Sequence, residues 1–150
     1  MFELIVFLIL TAAGYIMGTL AEKKHYKSIE AREKKFIKMA AVNFKTLPSG
    51  EIKASRFALG NVVVSIDYFK RILAGLRNIF GGSVASYETL VDRARREAIL
   101  RMKESVPGAD MIINVRIETS TIGKNANRRK QIGSVEALAY GTAIKFKEKA

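Results

Sequence analysis

The chain has 150 residues, with 26 Lys and Arg against 14 Asp and Glu for a net charge of +12, no Cys and one His. The absence of Cys removes disulfides, thiolate metal sites and Cys nucleophiles together. Once the N-terminal segment is set aside, the length allows one domain with a modest core and not two, and the one His, His25, falls outside that domain, which excludes a His-based dyad or triad within it.

Residues 1–21 open the chain with Leu4 to Ala21, 18 residues without a charge, close to the minimum for a helix that crosses a bilayer core. A cleaved secretory signal starts basic, whereas this chain starts Met1-Phe2-Glu3 and its basic residues follow the apolar run. A helix apolar all round is also foreign to the core of so small a protein. The expectation is a retained transmembrane helix. Glu3 on one side and Lys23, Lys24 and Lys27 on the other put the N-terminus outside and the rest in the cytoplasm, because cationic flanks stay cytoplasmic. That makes it a single-pass protein of the cell (inner) membrane. Thr11, Gly14, Gly18 and Ala21 recur at offsets of three and four, a small-residue face for helix–helix packing, although Gly is common in membrane helices for other reasons.

Residues 22–41 hold seven Lys and Arg against three Glu, are rich in helix formers and contain no Gly or Pro. They predict a basic juxtamembrane helical stalk lifting the domain off the bilayer, either capped afresh at Ser28 or continuous with the membrane helix. Residues 42–150 form the domain. Val42 to Leu47 alternates like a half-buried strand and ends at Pro48-Ser49-Gly50; Phe57 to Ile66 is β-branched and predicts a second strand. Phe69 to Phe80 has the spacing of a short amphipathic helix stopped by Gly81-Gly82. From Ser86 runs the best helix: Leu90, Val91, Ala94, Ala98 and Met102 make one face, and Asp92–Arg96, Arg93–Glu97 and Glu97–Arg101 are i,i+4 pairs on a face expected to be solvated.

Two alternating strands, Met111 to Glu118 and Ala137 to Phe146, close the chain. Between them Lys124, Arg128, Arg129 and Lys130 make a basic hairpin loop, either a solubilising turn or a contact for phosphate. A chain held at a membrane meets anionic lipid headgroups before nucleic acid, so Lys23, Lys24, Lys27 and these four loop cations are the membrane-surface candidates, and nucleic acid is not the expected partner.

Ile72-Leu73-Ala74-Gly75-Leu76-Arg77-Asn78-Ile79-Phe80-Gly81-Gly82, then Ser86-Tyr87-Glu88, Gly108-Ala109-Asp110-Met111-Ile112-Ile113-Asn114-Val115 and Ala139-Tyr140-Gly141-Thr142-Ala143-Ile144, resemble the YbjQ-like family over roughly residues 42–146. The resemblance implies an α+β unit, an antiparallel sheet packed on one long and one short helix, assembling into a ring-forming homo-oligomer, usually a pentamer. It also implies a heavy-metal-binding label that this chain departs from. Arg71 stands where members often carry an acidic residue, and Arg116-Ile117-Glu118 where they carry Asp-x-Asp. Transition metals want imidazole or thiolate, and only His25 is on offer, as an exposed juxtamembrane residue. No metal, no cofactor and no catalytic residue are assigned.

The leading expectation is a non-enzymatic, membrane-anchored oligomeric scaffold. The alternative is a small-ligand or metal-ion sensing module with a site between subunits, drawing on Arg77, Asn78, Asn114 and Glu118. Catalysis has little to stand on: there is no Gly-x-x-x-x-Gly-Lys-Ser/Thr loop and no Gly-x-Gly-x-x-Gly, and only Glu118 and Glu136 suggest a carboxylate pair across the hairpin, with Arg116 an equally good partner for Glu136.

Overall fold

A computed structural model of the chain describes residues 2–44, 50–65, 85–122 and 134–147. The described elements run α1 (Phe2–Lys35), β1 (Ala40–Val42), β2 (Ile52–Ser65), α2 (Ala85–Glu104), β3 (Met111–Ile122) and β4 (Ser134–Phe146). The short helix expected at residues 69–80 lies outside the described residues, as do Arg71, Arg77, Asn78, Lys124, Arg128, Arg129 and Lys130.

The four strands make one sheet in the order β1-β3-β4-β2. β2, β4 and β3 pair antiparallel, as the alternation requires, but β1 lies parallel to β3, with Ala40 opposite Met111 and Val42 opposite Ile113. The sheet is therefore mixed and not wholly antiparallel. The reason lies in the helices: α1 and α2 run alongside each other in the same direction, and each passes through a short turn into a strand, so β1 and β3 emerge side by side with the same polarity. The first strand also ends at Val42, where alternation predicted Leu47, and β2 begins at Ile52, five residues before the β-branched run that signals it.

The inner face of the sheet is packed by α2. Leu90, Ala94, Ala98 and Met102, one turn apart, are buried against Ala58, Val62 and Val64 of β2 and Val135, Ala137 and Ala139 of β4. Small side chains on both sides let the helix approach closely. At Gly60 a Cβ would stand 2.2 Å from the Met102 N and 2.3 Å from the Ala98 carbonyl oxygen, so only Gly fits beneath α2. Arg101 donates to the Asn61 carbonyl at 2.9 Å, and the Leu59 N–H donates to Ser105 Oγ at 3.3 Å, which ties the end of the helix to the strand below. On the outer face Phe57 and Val63 are more than half exposed, and Phe57 lies 6.3 Å from the Tyr140 ring.

α1 is one unbroken helix of 34 residues. Ser28 therefore caps nothing, and the apolar helix simply continues into the basic segment. None of its most apolar 18-residue window is buried, and Phe2, Phe7 and Met17 are each at least two-thirds exposed. The second half behaves differently: Ile29 is fully buried. Residues 22–36 thus lie on α2, where the sequence predicted a stalk holding the domain away.

Candidate functional site

The contact between α1 and α2 is the densest polar cluster among the described residues, and the spacing of charges on each helix builds it. On α2, Arg96 and Glu97 follow Arg93 by three and four residues and Lys103 follows Arg96 by seven, which places them along one side of the helix. On α1, Glu22, His25, Tyr26, Ile29, Arg32 and Glu33 recur at three and four, with Phe36 in the same stripe just past the end of the helix. Two such stripes meet when the helices pack side by side.

Glu97 sits at the centre with 4% of its side chain exposed. Arg32 Nη1 donates to Oε1 at 3.2 Å and Arg32 Nη2 donates to Oε2, a bidentate fork, while Arg101 Nε donates to Oε1 at 2.9 Å. His25 Nε2 is 3.5 Å from Oε2. Burial pushes the Glu97 carboxyl up, but the hydrogen bonds from Arg32 and Arg101 and the charges behind them outweigh it, so the group is held below the usual carboxylate range. Hydrogen bonding to Glu97 likewise raises Arg32 above the ordinary guanidinium value.

A second fork joins Arg96 to Glu33, with Nε to Oε1 at 2.8 Å and Nη2 to Oε2 at 2.7 Å, which lowers the Glu33 pKa and raises that of Arg96. Tyr26 lies under both Arg93 and Arg96, its ring centroid about 6 Å from each guanidinium, and its hydroxyl donates to the Thr89 carbonyl at 3.1 Å. Arg93 spans three elements, with Nη1 3.6 Å from Glu22 and Nη2 3.5 Å from the Ser65 carbonyl oxygen. At the other end Lys103 Nζ donates to the Phe36 carbonyl at 3.3 Å, a cation just past the C-terminal end of α1, where the helix dipole favours positive charge.

The Arg-rich side of α2 is therefore a helix–helix interface and not a solvated face. Of the expected i,i+4 pairs, Arg96–Asp92 (3.6 Å) and Arg101–Glu97 form, while Arg93 reaches back to Glu22. His25 has a carboxylate neighbour where the sequence predicted open solvent. One-helix charge counting could not find these contacts, because their partners lie about 65 residues away.

The other candidates are scattered. Asn114 is exposed at φ 54°, where β3 carries one extra residue between Ile113 and Arg116. It is the left-handed residue of a β-bulge, a conformation Asn accepts more readily than most side chains. The bulge shifts the register beyond it: Arg116 is opposite Tyr140, Glu118 opposite Leu138 and Ser120 opposite Glu136. Glu118 and Glu136 are thus two positions out of register, and Glu136 accepts from Ser120 Oγ at 3.1 Å instead of pairing with Arg116. Thr11 Oγ1 donates to the Phe7 carbonyl within its own helix at 2.8 Å. Lys23, Lys24 and Lys27 are all exposed.

With this geometry in place, a family model described as "Putative heavy-metal-binding", YbjQ, matches residues 39–147. The chain belongs to the YbjQ family. A UPF0145 protein of Hahella chejuensis is 38% identical over 109 residues, covering 71% of this chain and 97% of that protein. Another, of Natronomonas pharaonis, is 36% identical over 112 residues, covering 73% of this chain and all of that protein. A crystal structure of a DUF74-family protein of unknown function from Pediococcus pentosaceus aligns with 73% of this chain and 98% of its own, at 16% identity and a TM-score of 0.38, a likeness too slight to argue from. The YbjQ match begins at residue 39, so all of α1 lies outside it, and the two relatives are almost wholly taken up by matches of that length.

The described residues do not fit the metal named in the family description. Among the described residues no three His, Cys, Asp or Glu side chains converge on a cation site. The one His faces Glu97 inside a cluster dominated by guanidinium groups, where a further cation meets repulsion.

Proposed function

We propose that the protein is a single-pass membrane protein whose YbjQ domain is a cytoplasmic, non-enzymatic scaffold assembled as a homo-oligomer. The observation that carries this reading is that α1 is one continuous helix with two characters: an apolar half that nothing covers and a basic half clasped to α2. Residues 2–21 are long enough to span a bilayer core, and Lys23, Lys24 and Lys27 then meet the anionic inner leaflet, each worth on the order of 1 kcal/mol.

On this reading the clasp makes the span a rigid extension of the domain and turns one end of the sheet toward the bilayer. Arg93 touches both Glu22 and Ser65, and Ser65, Ser134 and Ile122 lie side by side in the sheet. On this reading that end is the membrane-proximal one. The sequence joining Ile122 to Ser134 contains Lys124, Arg128, Arg129 and Lys130, so anionic headgroups are the surface these cations would meet.

Oligomerisation is favoured by the exposed outer sheet face, Phe57, Leu59 and Val63, which a second copy would cover. A ring would also gather the spans and bring the Thr11, Gly14, Gly18 and Ala21 faces to high effective concentration.

Cross-linking and mass measurement of the protein in detergent test the assembly, and a strictly monomeric protein defeats it. Protease protection of the domain in intact cells tests the orientation; digestion from outside overturns it. Gly14→Leu combined with Gly18→Leu separates the two roles of the span, since a plain tether leaves the oligomer unchanged and an assembly element weakens it.

A further inference from the structure

We propose that a notch at the far end of the inner sheet face binds a small soluble organic anion, best matched by a phosphate monoester with a short apolar body. The notch exists because the sheet outruns the helix that covers it. β2 has 14 residues, about 46 Å of strand, whereas the 20 residues of α2 reach only about 30 Å. Past Ala58, β2 and β4 continue without a helix above them. The chain leaves α2 through a turn in which the Ala109 N–H donates to the Val106 carbonyl, with Pro107 and then Gly108 at φ 80° as its centre, the pattern of a type II turn. This turn walls the notch.

The cavity measures about 270 Å³, at the small end for ligand sites, and its lining combines Lys53, Arg56 and Lys145 with the apolar surfaces of Val106, Pro107 and Ala143. The register places Arg56 opposite Ala143 and Ala54 opposite Lys145, so two of the cations stand on the inner face. The neighbouring carboxylate, Asp110, is already engaged: Oδ1 accepts from Lys145 Nζ at 2.9 Å and Oδ2 from the Phe146 N–H at 2.8 Å. Among the described residues Lys53 and Arg56 have no acidic partner. Two uncompensated cations beside an apolar wall match a dianionic head with a few carbons attached, and the planar guanidinium of Arg56 suits phosphate oxygens.

The notch lies at the Phe36 end of the α1–α2 contact, opposite the end where Glu22 leads toward the apolar half of α1. On the membrane-spanning reading it faces away from the bilayer, which selects a soluble anion over a lipid headgroup; the binding itself does not depend on that reading.

The test is methyl NMR of the full chain in maltoside micelles, following Ala54, Ala109 and Ala143 during titration with butyl phosphate. Saturable shifts are expected, with inorganic phosphate at least fivefold weaker and 1-butanol inert. Lys53→Gln with Arg56→Gln should weaken butyl phosphate at least tenfold, and Lys34→Gln with Arg95→Gln, an equal charge loss at exposed positions that do not line the notch, should change it less than twofold. The proposal is overturned by shifts that do not saturate, by a Lys53/Arg56 double variant that binds like wild type, by an equal loss in the control pair, or by inorganic phosphate binding as well as the monoester.

Discussion

Arg32 and Glu97, 65 residues apart in sequence, meet as two parallel hydrogen bonds, Nη1 to Oε1 and Nη2 to Oε2, with the carboxylate almost wholly out of solvent. Arg supplies a fixed planar fork that Lys cannot reproduce. Arg32→Lys should therefore destabilise the α1–α2 contact by about 1 kcal/mol, and Arg32→Ala by about 2, because each leaves part of the Glu97 carboxylate buried without its donor. Urea unfolding followed by circular dichroism measures this; a change below about 0.3 kcal/mol for Arg32→Ala would mean that Arg101 and His25 suffice.

Acid should open the same contact. The folded-state pKa values of Glu97 and Glu33 lie below their ordinary values, so their contribution is fully present above the unfolded carboxylate pKa of about 4.3 and is lost as pH falls through the depressed values. Amide hydrogen exchange in residues 22–36 should be the same at pH 7 and pH 5.5, once corrected for intrinsic rates, and should rise steeply below about pH 4. Loosening already at pH 6 would overturn the carboxylate explanation.

Gly60 offers a separate test of how closely α2 lies on the sheet. A Cβ there meets backbone atoms of Met102 and Ala98, which cannot rotate away. Gly60→Ala should cost about 2–3 kcal/mol, the range of an overpacked core, although Ala is otherwise better suited than Gly to a strand. A stabilised Gly60→Ala protein would show that α2 does not cross the sheet at this point.

At Asn114 the bulge and the sequence-level ligand role make opposite predictions. A left-handed backbone position accepts Gly at little cost and penalises a β-branched residue by about 1–2 kcal/mol. Asn114→Gly should thus leave thermal stability nearly unchanged while Asn114→Val lowers it. Equal effects of the two would remove the conformational explanation.

The family, the inner face of α2 and the alternation of β3 and β4 were legible from residue order because each is set by local periodicity: Leu90, Ala94, Ala98 and Met102 announce their shared face without reference to anything else in the chain. The candidate site was not legible in the same way. Arg93, Arg96 and Glu97 look like surface charges on their own helix, since i,i+4 partners exist for each, and only a second helix beside them changes which partner is nearer. Glu118 and Glu136 failed for a related reason. Their pairing depended on register, which is set by the contacts between β3 and β4 and not by the alternation within either strand: Glu118 stands opposite Leu138 and Glu136 opposite Ser120.

By itself the sequence determined that an uncharged run of 18 residues precedes a basic helical segment and a small α+β domain, because hydrophobicity and periodicity are properties of neighbours along the chain. Only the tertiary structure decided that the basic segment is docked and not a free stalk, that β1 runs parallel to β3, and that the Arg face of α2 is spent on Glu33 and Glu97. Each of these depends on contacts between residues about 65 apart or more, whose energies no local window contains.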